Sequence, residues 1–349
     1  MSVQTVLGKI SKSELGLVAP HEHIFIDMKV FFTEPEEIGA INCAYEKVTI
    51  DKLGILKRNP FALLENVRLM DEETQFSEIM YFKYAGGKTI VDVTTFGIGR
   101  DAELLRKMAV RSGLNIVTGA GYYVEPSFIN RKDILEKSTE TIEEEIIAQI
   151  EKGIGHTGIK AGVIGEIGVS HIMYPFEKKS LIASCRAQKQ TNAPLMIHIN
   201  PWSTQGLDAM EIVNAHKVAP EKVVICHADV ENNKDYIKKL LDMGVYIEFE
   251  NFGREILVDL WDCKPGSGRF STDWERVHLL KELVDAGYEK QLLLSCDICL
   301  KTFLHAYGGW GYDHVLTHIV PNLAEVGISQ STIDQMILYN PVNWLDMKE

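Results

Sequence analysis

Five short apolar runs of this chain carry metal-binding side chains at their ends, and this pattern restricts the fold more than any other feature. His21 and His23 lie in VAPHEHIFID, Glu166 in GVIGEIGVS, His198 in PLMIHIN, His227 in KVVICHAD and Asp297 in LLLSCDIC. Such side chains are costly in apolar surroundings unless they are paired or bound to a metal. Placed at the ends of buried strands, they must converge on one polar centre, most simply a pair of metal ions.

The strands themselves read as near-continuous apolar runs, the signature of a parallel sheet covered on both faces. Eight are expected in order, at 15–27, 88–96, 115–123, 160–170, 193–200, 222–229, 245–253 and 291–299. Helical patterns lie between them, for example at 100–113, 177–192 and 273–287, several of them ending at Gly or Asn. Eight strands alternating with helices predict a (β/α)8 TIM barrel. No repeat, low-complexity tract or linker divides the chain, so 1–349 is expected to be a single domain. The stretch 28–87 is expected to carry helices, and the Gly/Pro-punctuated stretch 254–272 an irregular loop after the seventh strand.

In such a barrel the active site lies at the C-terminal ends of the strands, where all these ligand candidates fall. His21 and His23 are two residues apart and point to the same side of a strand. Imidazoles combined with carboxylates suit zinc and its neighbours. Two ions sharing a hydroxide make a nucleophile at neutral pH and polarise the substrate's oxygen. Lys160 begins the fourth strand about 20 Å before Glu166, at roughly 3.3 Å per residue, and belongs to the opposite end of the barrel. His156, His171, His216, His278, His305, His314 and His318 fall in helices or loops and are expected to be structural or exposed. The CxxC spacing of Cys296 and Cys299 flanks Asp297, but no second cysteine pair accompanies it, and Cys296 alternates away from Asp297 in a strand.

The net charge of −13 argues against nucleic-acid binding, and no apolar stretch has the length of a membrane span or a signal peptide. With scattered cysteines, this leads to the expectation of a cytoplasmic enzyme. Its partner would be a small-molecule substrate, with no nucleic acid and no membrane, and a homodimer is compatible with the chain.

The segments LGLVAPHEHIFID, AGVIGEIG, HIN, CHAD, SCDIC and GGWGYDHVLTHIVP resemble the phosphotriesterase family of the amidohydrolase superfamily, in particular its phosphotriesterase-related protein branch. The resemblance runs from about residue 5 to NPVNWL near the end. It implies a binuclear hydrolase with two divalent metal ions, zinc first among them. His21, His23 and Asp297 would hold the buried ion, and His198 and His227 the more exposed one. Phosphotriesterases proper bridge their metals with a carboxylated lysine on the fourth strand; here Glu166 would bridge instead, as the related branch suggests. Lactonase members carry an arginine at the end of the seventh strand, where this chain reads ENFGRE, with Arg254 slightly later.

The reaction expected is hydrolysis of a small carboxylic acid derivative, an N-acyl amine or a lactone, by a metal-bridging hydroxide. Asp297 would be the catalytic proton acceptor. Tyr122, Tyr123, Arg254 and Lys301 are the candidate substrate contacts, and either cation could hold an anionic group. Alternatives are a phosphoric ester hydrolase, an isomerase using the same metals, and a metal-binding protein with a vestigial site.

Overall fold

The computed structural model describes residues 2–32, 43–257 and 267–347. Eight strands run parallel and pair in sequence order: β1 Leu17–Glu22, β2 Gly87–Asp92, β3 Asn115–Ala120, β4 Val163–Val169, β5 Leu195–Ile199, β6 Val223–Ile225, β7 Tyr246–Phe249 and β8 Leu292–Leu294. Helices follow the strands, including Glu72–Tyr84, Ala102–Ser112, Thr139–Glu151, Pro175–Thr191, Gln205–Ala215, Lys234–Asp242 and Asp273–Asp285. This is the (β/α)8 barrel that the eight apolar runs predict. The stretch 28–87 carries the helix Glu72–Tyr84 and shorter turns, while 33–42 lies outside the described residues. Of the expected loop 254–272, residues 254–257 and 267–271 have no regular structure and 258–266 lie outside the description.

The barrel interior is packed with Val18, Val91, Val117, Val163, Met196, Val224 and Leu293, all nearly inaccessible to water. Branched side chains fill such an interior because strand neighbours on one face lie close enough to interdigitate. Val3 of an N-terminal hairpin (Ser2–Thr5 with Gly8–Ser11) and Trp344 near the C-terminus join this cluster. A second apolar layer, including Ile90, Ile116, Leu195 and Ile247, packs the outside of the sheet against the helices. Among the described residues, no helix is long and apolar enough to cross a membrane.

Closure of the barrel involves side chains. Glu22 at the end of β1 accepts hydrogen bonds from the backbone N–H groups of Cys296 and Ile298, each at 2.8 Å. His21 N–H donates to Ser295 Oγ at 3.1 Å, and Asp297 N–H donates to the His21 carbonyl at 3.3 Å. The first and last strands are therefore joined at the end where His21 and Asp297 lie.

Candidate metal centre

The regular strands end before several of the ligand candidates. β6 stops at Ile225 and β8 at Leu294, so His227 and Asp297 lie just beyond them. Both adopt left-handed backbone conformations, with φ of +64° and +46°. Non-glycine residues reach this region at a cost, and such outliers gather at functional sites. At Gly165, φ is +145° and a Cβ would lie 2.6 Å from the Met196 carbonyl oxygen. Only glycine allows β4 to run so close to β5 immediately before Glu166.

Glu166 stands at the centre of four imidazoles. Its Oε1 lies 3.5 Å from His23 Nε2, while its Oε2 lies 3.0 Å from His198 Nδ1, 3.5 Å from His227 Nε2 and 3.8 Å from His21 Nε2. Asp297 Oδ1 faces His23 Nε2 at 3.4 Å and His21 Nε2 at 3.9 Å. Candidate ligand atoms of His21, His23 and Glu166 lie within 4.8 Å of one another, as do those of Glu166, His198 and His227. One carboxylate thus serves two groups of histidines.

Two of the innermost imidazoles are hydrogen-bonded from behind, and a carboxylate stands behind a third. His21 Nδ1 meets Glu248 Oε2 at 3.1 Å, His23 Nδ1 meets Thr94 Oγ1 at 2.8 Å, and His227 Nδ1 lies 2.6 Å from Glu250 Oε1. Such outer partners fix ring orientation and leave the opposite nitrogen for a metal. His21 Nε2 fits this description: it is buried, makes no hydrogen bond, and faces Glu166 and Asp297.

The electrostatics point the same way. Burial disfavours a charged His21, but its hydrogen bond to Glu248 and the charges of Glu248, Asp297 and Glu166 outweigh it and push its pKa up to about 10. His227, under burial and beside His198, is instead pushed down to about 4. Burial would raise Glu166, yet His198, His227 and His21 hold it well below the usual carboxylate range. Asp297 is likewise held low against its burial, by Arg254 first and then His23 and His21. Glu166, Asp297, Glu248 and Glu250 are all buried together. So much acid in one interior calls for positive charge, and the donor set of imidazoles and carboxylates fits divalent ions.

Above the centre opens a cavity of about 480 Å³. Its floor includes His23, Glu166, His198, His227 and Asp297, and its walls carry Phe31, Phe61, Tyr123, Trp202 and Phe270. Tyr123 reaches the floor, with its hydroxyl 3.4 Å from His198 Nδ1 and its ring 4.8 Å from the His198 ring. Arg254 also lines the cavity, but its Nη2 donates to Asp297 Oδ2 at 2.7 Å, to the Asp297 carbonyl at 2.6 Å and to Cys299 Sγ at 3.0 Å.

Two expected substrate contacts are placed elsewhere. Tyr122 turns outward, as alternation from Tyr123 requires. Its hydroxyl donates to Glu145 and accepts from Lys137 Nζ at 2.9 Å, and its ring packs on Phe96 and Phe176. Lys301 pairs with Glu65 at 2.8 Å and lines a different cleft, with Arg68 and Asp71. It opens the 3-10 turn Lys301–Phe303. Conversely, the sequence reading missed Glu248 and Glu250. The signal was present: two glutamates two apart inside VYIEFEN share a face with interior Tyr246.

The profile of the phosphotriesterase family matches residues 1–345. An N-acetyltaurine hydrolase of Xenopus tropicalis is 36% identical over 99% of this chain and 98% of its own length. A phosphotriesterase-related protein of Nematostella vectensis is 34% identical, with the same coverage of both chains. The crystal structure of a resiniferatoxin-binding protein from Rhodobacter sphaeroides superposes with a TM-score of 0.94 at 31% identity, covering 99% of this chain and 95% of that one.

Proposed function

This chain belongs to the phosphotriesterase family and is a hydrolase, and from that premise we propose that it cleaves a small N-acyl amine at a centre of two zinc ions. His21, His23 and Asp297 would hold one ion, His198 and His227 the other, and Glu166 both. The observation that carries this reading is the place of Glu166 among all four imidazoles, with Oε1 facing His23 and Oε2 facing His198, His227 and His21. When bound, the ions would supply an activated water and polarise the scissile carbonyl.

The chain's own residues do the rest. Asp297 turns Oδ1 to His21 and His23 and leaves Oδ2 under Arg254. Oδ2 takes the proton released as water attacks the carbonyl, and returns it to the departing amine. Arg254 keeps Asp297 a weak base, so the proton is passed on and not retained. Tyr123 packs against His198 and holds its ring at the cavity floor. The aromatic walls exclude bulk water around the amide.

An amide is favoured over a lactone or phosphoric ester because several relatives aligned over nearly the full chain bear the name N-acetyltaurine hydrolase. The reading includes a cytoplasmic location, supported by the free thiols of Cys185, Cys226, Cys296 and Cys299. The test is zinc-reconstituted protein offered N-acetyltaurine, a γ-lactone and a dialkyl aryl phosphate, with metal content measured in the same sample. Release of free amine at the highest kcat/KM of the three is expected, with about two ions per chain. Faster turnover of the phosphate or the lactone would move the function to that class, and a metal content near zero would remove the reading altogether.

A further inference from the structure

A buried chain of polar groups runs from His227 to a helix on the outside of the barrel. Glu250, the residue after β7, accepts the His227 N–H with Oε1, and that oxygen also lies 2.6 Å from His227 Nδ1. Asn251 Nδ2 donates to Glu250 Oε1 at 3.0 Å and to Asp229 Oδ1 at 2.6 Å. Asp229 Oδ2 in turn accepts the Asn251 N–H at 2.9 Å and Arg276 Nε at 3.0 Å. Arg276, on the helix Asp273–Asp285, reaches Asp273 Oδ1 with Nη1 at 3.3 Å, and the same oxygen accepts the Gly253 N–H at 2.7 Å. Asp229, Glu250, Asn251 and Arg276 are completely buried, and none of them lines the cavity.

The residue between Asp229 and Glu250 is under a strict chemical demand. Each buried carboxylate needs a donor, and a missing one is costly. An apolar side chain at 251 offers no hydrogen, a carboxylate adds a third negative charge, and a hydroxyl has one hydrogen for two acceptors. An amide nitrogen has two. The reverse orientation of the amide would set its oxygen against both acids, so Nδ2 must face them. Asn251 Oδ1 makes no hydrogen bond among the described residues, so the polar contacts of the side chain are spent on these two acids. His227 needs such support: it stands beyond the last residue of β6, in a left-handed conformation with φ of +64°.

We propose that Asn251 is a positioning residue for the ion at His198 and His227: it ties Glu250, and through Glu250 the ring and backbone of His227, to the Asp229–Arg276 pair. This rests on the two-metal reading of the same site. Because Asn251 touches neither the cavity nor a metal-facing nitrogen, its effect must pass through Glu250 and be confined to one of the two ions.

The test titrates metal-free protein with Co2+ and follows the visible absorbance of each ion as it binds. It uses wild type, Asn251→Leu, Glu250→Gln and the double variant, with His198→Ala to identify the band of the ion in question. Crystal structures of metal-free wild type and Asn251→Leu are compared alongside. Asn251→Leu keeps the volume and removes both donors. It should weaken the ion at His198 and His227 about tenfold and shift its band, and leave the ion at His21, His23 and Asp297 within about threefold. The double variant should bind no more weakly than the weaker single variant, because both changes act on one contact. Asn251→Thr, with one donor, should fall between Leu and wild type, and it decides alone where Asn251→Leu does not fold. Unchanged affinity for both ions, an equal loss at both, or additive losses in the double variant would overturn the proposal. If wild type takes up no Co2+, the two-metal reading falls and the crystal structures decide. A His227 ring turned from its wild-type position in Asn251→Leu still supports the assignment of Asn251, and a ring left in place overturns it.

Discussion

At the scale of single residues, the most consequential contact is that between Arg254 and Asp297. One nitrogen of Arg254 holds both the backbone and the side chain of the proposed proton acceptor, at a position whose backbone is left-handed. Asp297→Asn removes the charge and the basic oxygen while keeping the shape. Turnover should drop by about 10²-fold or more, the usual size of general acid–base effects. The measurement needs metal content alongside kcat, since Asp297 also faces His21 and His23. Near-wild-type turnover with full metal occupancy would remove its role. The two tyrosines show where sequence reading stops at this scale. Tyr122 and Tyr123 are neighbours of the same type, so one must face the cavity and the other the helices. Which does so depends on strand phase at the end of β3, and that phase is set by tertiary packing on Phe96 and Phe176. His21, His23, Glu166, His198, His227 and Asp297 were legible because each interrupts an apolar run with a ligand-type side chain. The structure brings all of them together.

At the scale of elements, β7 carries more of the site than its apolar sequence suggests. The parity that turns Tyr246 into the barrel also turns Glu248 and Glu250 inward, behind His21 and His227. A buried parallel strand is read by its apolar continuity, so two glutamates inside it register as interruptions until the ring nitrogens they serve are located. Glu248→Gln keeps volume but weakens the carboxylate's hold on His21. Metal affinity should fall by about 10- to 100-fold, the usual effect of outer-sphere partners, and competition with a metal-binding dye would read it. Unchanged affinity would mean that β7 only packs. The helix Asp273–Asp285 offers a separate, pH-dependent test. Its capping box pairs Thr272 with Glu275, and Arg269 also holds Glu275. The hydrogen bond from Arg269, then that from Thr272 N–H, pulls the Glu275 pKa down to about 2. A depressed carboxylate stabilises the fold above its ordinary value of about 4.5 and loses that effect as pH falls towards 2. Glu275→Gln should therefore melt about one to two degrees lower at pH 7, as expected for a cap contributing about 1 kcal/mol in a chain this long. The gap should close only below pH 4.5, and a gap that stays constant across that window would rule out the ionised cap.

At the scale of the whole molecule, the barrel was legible because its strands and helices alternate with the right lengths, and the acidic interior behind Glu166 and Asp297 was not. Glu166, Asp297, Glu248, Glu250, Asp229, Glu22 and Asp92 are all buried, around or just behind the same strand ends. Some are answered locally: Asp229 by Arg276 at 3.0 Å, Glu22 by backbone N–H groups across the barrel seam, and Asp92 by the N–H groups of Ile24 and Thr94 at 2.7 and 3.1 Å. The remainder face the imidazoles, and His21 responds by binding a proton with a pKa of about 10. A divalent ion and that proton compete for the same nitrogen, so metal affinity should rise with pH throughout the range below 10. Because ions bind the folded chain and not the unfolded one, they add stability by mass action, about 2.7 kcal/mol at a hundredfold excess over the dissociation constant. For a chain of 349 residues this corresponds to a melting shift of roughly 3–4 °C. Zinc-loaded and chelator-treated protein should therefore differ by a few degrees at pH 8. The difference should shrink at pH 6, where the proton on His21 is harder to displace. Stripping the metal with no change in melting temperature at either pH would show that the buried carboxylates are neutralised within the protein itself, and the case for a metal-dependent centre would fail at the level of the fold.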